Sequence, residues 1–155
     1  MITGNMARDN YYQPGAMIPV FTSFYLPGAD IQLDITGAWT TIVDSLAADF
    51  CIPTYTPPVD ANAEVILSTL AAHSAANSAF IFGIFEGATL LLQTYTHAPI
   101  NNGYVSNTTI WNGPLTAGTA YNFIAKYYNI AGGTHIHVMA GEYCTRLSLK
   151  VWRRP

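Results

Sequence analysis

The residues best placed to do chemistry in this sequence are His135, His137 and Glu142. On an extended strand, positions i and i+2 face the same way, so His135 and His137 would stand side by side. Two imidazoles and a carboxylate can hold a divalent cation. The plainer alternative is a strand with two histidines on its polar face. Cys144 and His135 can be drawn as nucleophile and base, but nothing in the sequence orients them, and a buried thiol is the simpler expectation. Asp30 and Asp34 share a face if 30–36 is extended; a glycosidase uses such a carboxylate pair, and an exposed strand edge kept soluble by charge uses it too. Trp39, Trp111 and Trp152 could stack on sugars, although a strand tryptophan more often anchors a core or an interface. There is no Gly-x-Ser-x-Gly elbow and no Gly-rich phosphate loop ending in Lys-Ser/Thr.

The spacing His135-x-His137-x-x-x-x-Glu142 is similar to the first metal motif of the cupins, which are jelly rolls. That family has a glycine seven positions after the glutamate, where this chain has Leu149, and a second motif with a further histidine. The remaining histidines here, His73 and His97, both precede the pair, and the chain ends thirteen residues after Glu142. The expectation is therefore no enzyme, no metal and no cofactor.

Charge is scarce and unevenly placed. Charged residues are 10% of the 155, and half of the chain is hydrophobic, with ten Tyr, seven Phe and three Trp. Ordinary soluble proteins carry about 25% charge. Residues 1–125 hold Arg8 against eight carboxylates, a formal charge of −7; residues 126–155 hold Lys126, Arg146, Lys150, Arg153 and Arg154 against Glu142, a formal charge of +4. A net charge of −3 argues against a nucleic-acid partner, which requires a basic field. A Tyr-rich, charge-poor surface is instead typical of interface cores. The uncharged run 65–85 is long enough to span a bilayer, but His73, Ser74, Asn77 and Ser78 sit at its centre, so two strands and a polar turn explain it better than a span. The start lacks a basic segment followed by an apolar run, so no export and a soluble protein are expected. Without export, Cys51 and Cys144 are expected as buried thiols, and the sequon at Asn107 carries no glycan.

Two parts follow from the pattern. Residues 1–19 hold no regular period, being interrupted by Gly4, Asn5, Asp9, Asn10, Pro14, Gly15 and Pro19, yet they contain Met6, Tyr11, Tyr12, Met17 and Ile18. Such a segment is an apolar arm that lies on something; extended, it reaches about 60 Å. Residues 20–155 read as a β-sandwich of eight to ten short strands, with breaks at Pro27-Gly28, Gly37, the proline-rich 53–62, Gly87, Asn101-Asn102-Gly103, Gly113-Pro114, Ala117-Gly118 and Gly132-Gly133. Residues 61–72 also contain good helix formers, but their position before Phe80-Ile81-Phe82-Gly83-Ile84-Phe85 favours a hairpin. The fold class is all-β: an antiparallel jelly roll or sandwich with an irregular N-terminal arm.

Several short stretches occur in an order that resembles small trimeric jelly rolls of the complement-globular-head and tumour-necrosis-factor type. They are Gly37-Ala38-Trp39-Thr40-Thr41-Ile42, Phe82-Gly83-Ile84-Phe85-Glu86-Gly87, Leu115–Phe123 followed by Tyr127-Tyr128, and Gly132-Gly133-Thr134 leading to Thr145–Val151. This form is common among bacteriophage structural proteins, including capsid decoration (cement) proteins and tail receptor-binding heads. The resemblance spans roughly residues 36–152. It implies a homotrimer on the outer surface of a virion, made in the host cytoplasm, whose arms clamp neighbouring major capsid protein subunits. Met6, Tyr11, Tyr12, Met17 and Ile18 would make the capsid-binding arm, and Trp39, Trp111, Tyr127 and Trp152 are candidate interface anchors. Two alternatives of other classes stand beside it: a binding module, the receptor-binding head of a tail fibre or tailspike, which would recognise host surface glycans around Asn101, Asn102, Tyr104 and Trp111, and a cupin-like metal-binding enzyme on His135, His137 and Glu142.

Overall fold

A computed structural model describes residues 20–34, 37–76, 78–131, 135–141 and 144–154. Among the described residues there are eleven strands and no helix: β1 (Val20–Tyr25), β2 (Ile31–Asp34), β3 (Thr40–Thr41), β4 (Cys51–Tyr55), β5 (Ala61–His73), β6 (Ser78–Glu86), β7 (Thr89–Ala98), β8 (Tyr104–Leu115), β9 (Tyr121–Ala131), β10 (His135–Val138) and β11 (Arg146–Arg153). The all-β expectation holds, and every described strand pair is antiparallel. The arm residues Met6, Tyr11, Tyr12, Met17 and Ile18, and also Glu142, lie outside the described residues.

Two sheets face each other. The first runs β1-β11-β5-β10-β2, with β8 on the other side of β5; the second runs β3-β9-β6-β7, with β4 also on β9. The chain changes sheet at β2–β3, β4–β5, β5–β6, β7–β8, β8–β9 and β9–β10, a winding compatible with a jelly roll. The register explains the core. β5 alternates without a break from Ala61 to Leu70, placing Ala61, Ala63, Val65 and Leu67 inward. Its partners supply Leu147, Leu149 and Val151 from β11 on one side and Leu115 from β8 on the other. The second sheet answers with Phe80, Phe82 and Ile84 from β6 and Phe123, Ala125 and Tyr127 from β9, all in the same buried cluster. The apolar run 65–85 is therefore divided between two strands, β5 in the first sheet and β6 in the second, and the break falls at its polar centre.

Two strands run further than the sequence suggests. Pro53 lies inside β4 and Pro114 inside β8. A proline cannot donate to a ladder, so it is confined to edges and irregularities. Both strands meet that condition: β4 pairs with β9 alone, with a register shift between Ile52 and Tyr55, and β8 pairs with β5 alone. The two cysteines are free, and both are half-buried instead of buried. Asn107 of the sequon is buried, and its Nδ2 donates to Thr96 Oγ1, so a glycan has no room there.

Polar side chains tie the sheets together at one end. His73 on β5 is fully buried and stacks on Phe80 of β6, with ring centroids 6.3 Å apart. Its Nδ1 accepts the Ala75 N–H at 3.1 Å, which leaves Nε2 as the donor to Asn129 Oδ1 on β9, also at 3.1 Å. At the β7–β8 edge the Thr109 hydroxyl donates to Thr94 Oγ1 at 2.8 Å, beside the Asn107–Thr96 bond. An unmade bond at a buried group costs about 1–3 kcal/mol. His73→Phe orphans the buried Asn129 Oδ1, while the half-buried Ala75 N–H can turn to water, so we expect it to lower the urea-unfolding free energy by about 1–3 kcal/mol. His73→Phe combined with Asn129→Leu should be less damaging than His73→Phe alone, because the side-chain amide left without its partner is gone.

Candidate interaction surface

The two outer faces of the sandwich differ in chemistry. On the first sheet the rows that face outward are Phe21–Lys150–Glu64–Asn112, Ser23–Ser148–Ile66–Ile110 and Tyr25–Arg146–Ser68–Thr108. That surface is mixed, with two cations, a carboxylate and a hydrogen bond between the Ser23 and Ser148 hydroxyls at 3.0 Å. On the second sheet the outward rows run Tyr95–Ile81–Tyr128 and Gln93–Gly83–Lys126–Thr41, followed by Phe85 beside Ile124, Leu90 and Cys51. Lys126 is the sole charge in those rows.

A second aromatic cluster, separate from the core, sits on that face. Phe85 is only 4% exposed although it points away from the core cluster. Trp39, half-buried just before β3, covers it edge-on at 5.1 Å and leans on Tyr128 at 5.9 Å. Lys126 Nζ lies 4.5 Å from the Phe85 ring centroid, a cation–π contact that keeps the one ammonium on an apolar surface without burying it alone. Gly83 makes the arrangement possible: a Cβ there would stand 3.1 Å from both the Trp39 and Phe85 rings. Around the cluster Tyr95 is 59% exposed, and Leu90, Ile130 and Val43 also reach solvent. Four strands at about 4.8 Å spacing and about 30 Å of length give a face on the order of 600 Å² in projection. A standard protein–protein interface takes about 800 Å² of accessible surface per partner, so the face has the right scale for one.

The remaining candidate residues fall elsewhere. Tyr127 faces inward in the core; burial first and the Asp34 charge second raise its phenol pKa, and a hydrogen bond with Thr40 offsets part of this. Trp111 also faces inward, opposite Val65, and packs on Phe123 at 5.7 Å. Tyr104 points outward seven residues earlier on the same strand, about 24 Å away. The structure therefore does not bring Trp111 together with Asn101, Asn102 and Tyr104 as a stacking platform. Trp152 lies on the outer face of the first sheet beside a shallow hollow lined by Asn62, Ala63, Asn112, Gly113 and Pro114, with Lys150 Nζ 5.7 Å from its ring. His135 and His137 do share a face of β10, their rings 4.5 Å apart and edge-on. Among the described residues no group of three His, Cys, Asp or Glu side chains is arranged to hold a metal ion. Asp34 lies on the edge strand β2, and Asp30 Oδ1 accepts the Ala140 N–H at 2.9 Å.

Of the named anchors, only Trp39 belongs to the outer aromatic cluster. Nothing in the sequence marks Phe85, Ile81, Tyr128 and Tyr95 as anchors on one outer face, yet a signal is there. Residues 79–85 (AFIFGIF) are apolar at every position, and a strand without alternation is apolar on both faces.

No protein-family model matches the chain, and no curated protein is significantly similar to it. Among solved structures it is similar to a chain in the structure of infectious bursal disease virus, Gx strain, with TM-score 0.44 and 10% identity over 90% of this chain and 37% of that one. The structure of the Gt strain of the same virus gives the same values. This chain thus spans little more than a third of the chains it matches. The class defined by the coordinates is an antiparallel β-sandwich with one mixed and one aromatic outer face.

Cys51 offers a chemical probe of the aromatic face, since it lies opposite Ile124. Burial, and then the Asp49 carboxylate, push its thiol pKa up. A raised pKa means less thiolate at a given pH, and the thiolate is the nucleophile. We expect Cys51 to react with iodoacetamide at pH 8 more slowly than a free model thiol. Asp49→Asn should speed the reaction, because it removes a charge that opposes ionisation. Mass-spectrometric labelling rates check both outcomes.

Proposed function

We propose that this protein is a structural virion component: a capsid decoration (cement) protein that forms a homotrimer and joins neighbouring major capsid protein subunits. The observation that carries the reading is the aromatic outer face of the second sheet. An enzyme of this size usually concentrates polar and titratable groups in a concave site. Here the largest departure from an ordinary soluble surface is instead an outer face rich in aromatic and apolar side chains, with Lys126 in its rows and Asp49, opposite Val43, at its edge. A face of that kind, with few charges, is suited to meeting protein, since charges are depleted at interface cores. The role is non-catalytic and needs no cofactor.

In this reading the head trimerises through the second sheet, with Trp39, Tyr95 and Tyr128 at the contact. The apolar segment 1–19, with Met6, Tyr11, Tyr12, Met17 and Ile18, engages the shell. Three arms on one trimer act together, so the complex is tight even when each arm is weak. The assembled protein sits on the outer capsid surface and adds buried area across joints that internal pressure would open.

Two variants test the two halves separately. Tyr95→Glu places a carboxylate on an exposed position of the face and should reduce the solution mass, measured by light scattering, from trimer to protomer. Deletion of residues 1–18 should leave the trimer intact and lower occupancy on capsids stripped of the protein by at least tenfold. Unchanged occupancy for the deletion would refute the arm, and an unchanged mass for Tyr95→Glu would refute the face.

A further inference from the structure

The edges of the two sheets are not equally protected. A strand at a sheet edge has alternate N–H and C=O groups directed away from its neighbour, a template for another strand. β2, at one end of the first sheet, is four residues long and bears Asp34, with Asp30 just before it. β4 carries Pro53 and a register shift. β7 and β8 close on each other through the Thr94–Thr109 and Thr96–Asn107 bonds. β1 has none of these devices. Its sequence, VFTSFY, has no charge, no proline and no glycine, and its register with β11 is unbroken from Val20 to Tyr25. Among the described residues it pairs with β11 alone. Phe21 and Tyr25 stand 68% and 53% exposed on its outer side.

We propose that β1 pairs with β1 of a second copy of this chain, antiparallel about a two-fold axis at Ser23, so that the first sheet continues from one molecule into the next. Antiparallel self-pairing sets a strand against its own sequence reversed, so a strand with like charges on both sides of its middle repels itself and an uncharged one does not. Of the two free edges on that side of β5, β2 would set Asp34 against Asp30 of the second copy when centred on Gln32, and β1 would bring no charges together. The register supplies a further reason. A two-fold axis at Ser23 sets Phe21 opposite Tyr25 of the second copy, and Tyr25 opposite its Phe21. Thr22 then faces Phe24 of the second copy on the inner side. Residues directly opposite each other lie on the same face, so the inner and outer alternation of β1 is kept. Aromatic pairs opposite one another stabilise a ladder, and the two exposed rings find partners without any rearrangement of the sandwich. This contact lies on the other sheet from the aromatic face and does not depend on the virion role proposed above.

The test uses the full-length chain. Ser23 is exposed, and its hydroxyl bonds that of Ser148; Ser23→Lys and Ser23→Asp give up that one bond and place like charges at the axis, and urea unfolding of each variant checks that the sandwich is kept. Sedimentation of the wild type at increasing concentration should reach twice the mass of either variant. A one-to-one mixture of the two variants should recover the doubled mass, because an ammonium from one copy then meets a carboxylate from the other at the axis. Hydrogen exchange gives an independent reading: the β1 amides should become protected as wild-type concentration rises, and not in Ser23→Lys. Equal masses for wild type and variants overturn the proposal. So does β1 protection that is the same at every concentration, which assigns the edge to the chain's own residues 1–19. Absence of protection at every concentration overturns it as well. Loss of the doubling in Ser23→Lys with the trimer of the previous section intact, or the reverse, separates this contact from that one.

Discussion

The structure depends on β6 being apolar on both of its faces. A strand in a two-layer sandwich needs only one apolar side, because the other meets water. β6 gives Phe80, Phe82 and Ile84 to the core and Ile81, Gly83 and Phe85 to the outside. Burying the inner three drives the two sheets together in the ordinary way. The outer three then have to be covered by something other than the core. Part of the cover is built in: Trp39 folds over Gly83 and Phe85, and Lys126 caps the same ring. The rest of that face still reaches solvent, and this remainder of uncovered apolar surface is what the functional reading rests on.

The polar groups inside the sandwich solve a different problem. His73, Asn129, Thr96, Asn107 and Thr109 are buried, and the bonds among them span the gap between the sheets. Hydrophobic contact is non-directional and lets sheets slide. A buried hydrogen bond has one geometry, and the orphan left by a slip costs more than the bond contributes. These ties therefore fix how the second sheet sits on the first, and with it the position of the outer aromatic cluster. The distribution of charge fits the same division. The basic C-terminal strand β11 puts Arg146 and Lys150 on the outer face of the first sheet, which leaves the second nearly free of charge.

Much of the fold was legible in the sequence. The alternation at Ile31–Asp34 and the breaks at Pro27-Gly28, Gly87 and Asn101-Asn102-Gly103 mark strand ends that the structure keeps. Pro53 and Pro114 misled, because a proline reads as a stop unless the strand is known to be an edge, and edge position is a property of pairing. The same limit applies to the surface. Trp111 and Trp39 are alike in sequence, but one points into the core and the other across a glycine onto the outer face. The direction depends on register between strands more than 40 residues apart, as in Gly83 beside Lys126. The apolar run of β6 announces a second face, yet only the pairing shows that Tyr95, Tyr128 and Phe85 lie together on it.

The central claim is that the aromatic face of the second sheet is covered by protein in the assembled state. Hydroxyl-radical footprinting of the protein, at a dilution that isolates protomers and again in the intact particle, tests it directly. The account predicts that oxidation of Tyr95, Leu90 and Ile130 falls severalfold on assembly, while Tyr104 and Ile110 on the outer face of the first sheet stay as reactive as before. Equal oxidation of Tyr95, Leu90 and Ile130 in both states would contradict it.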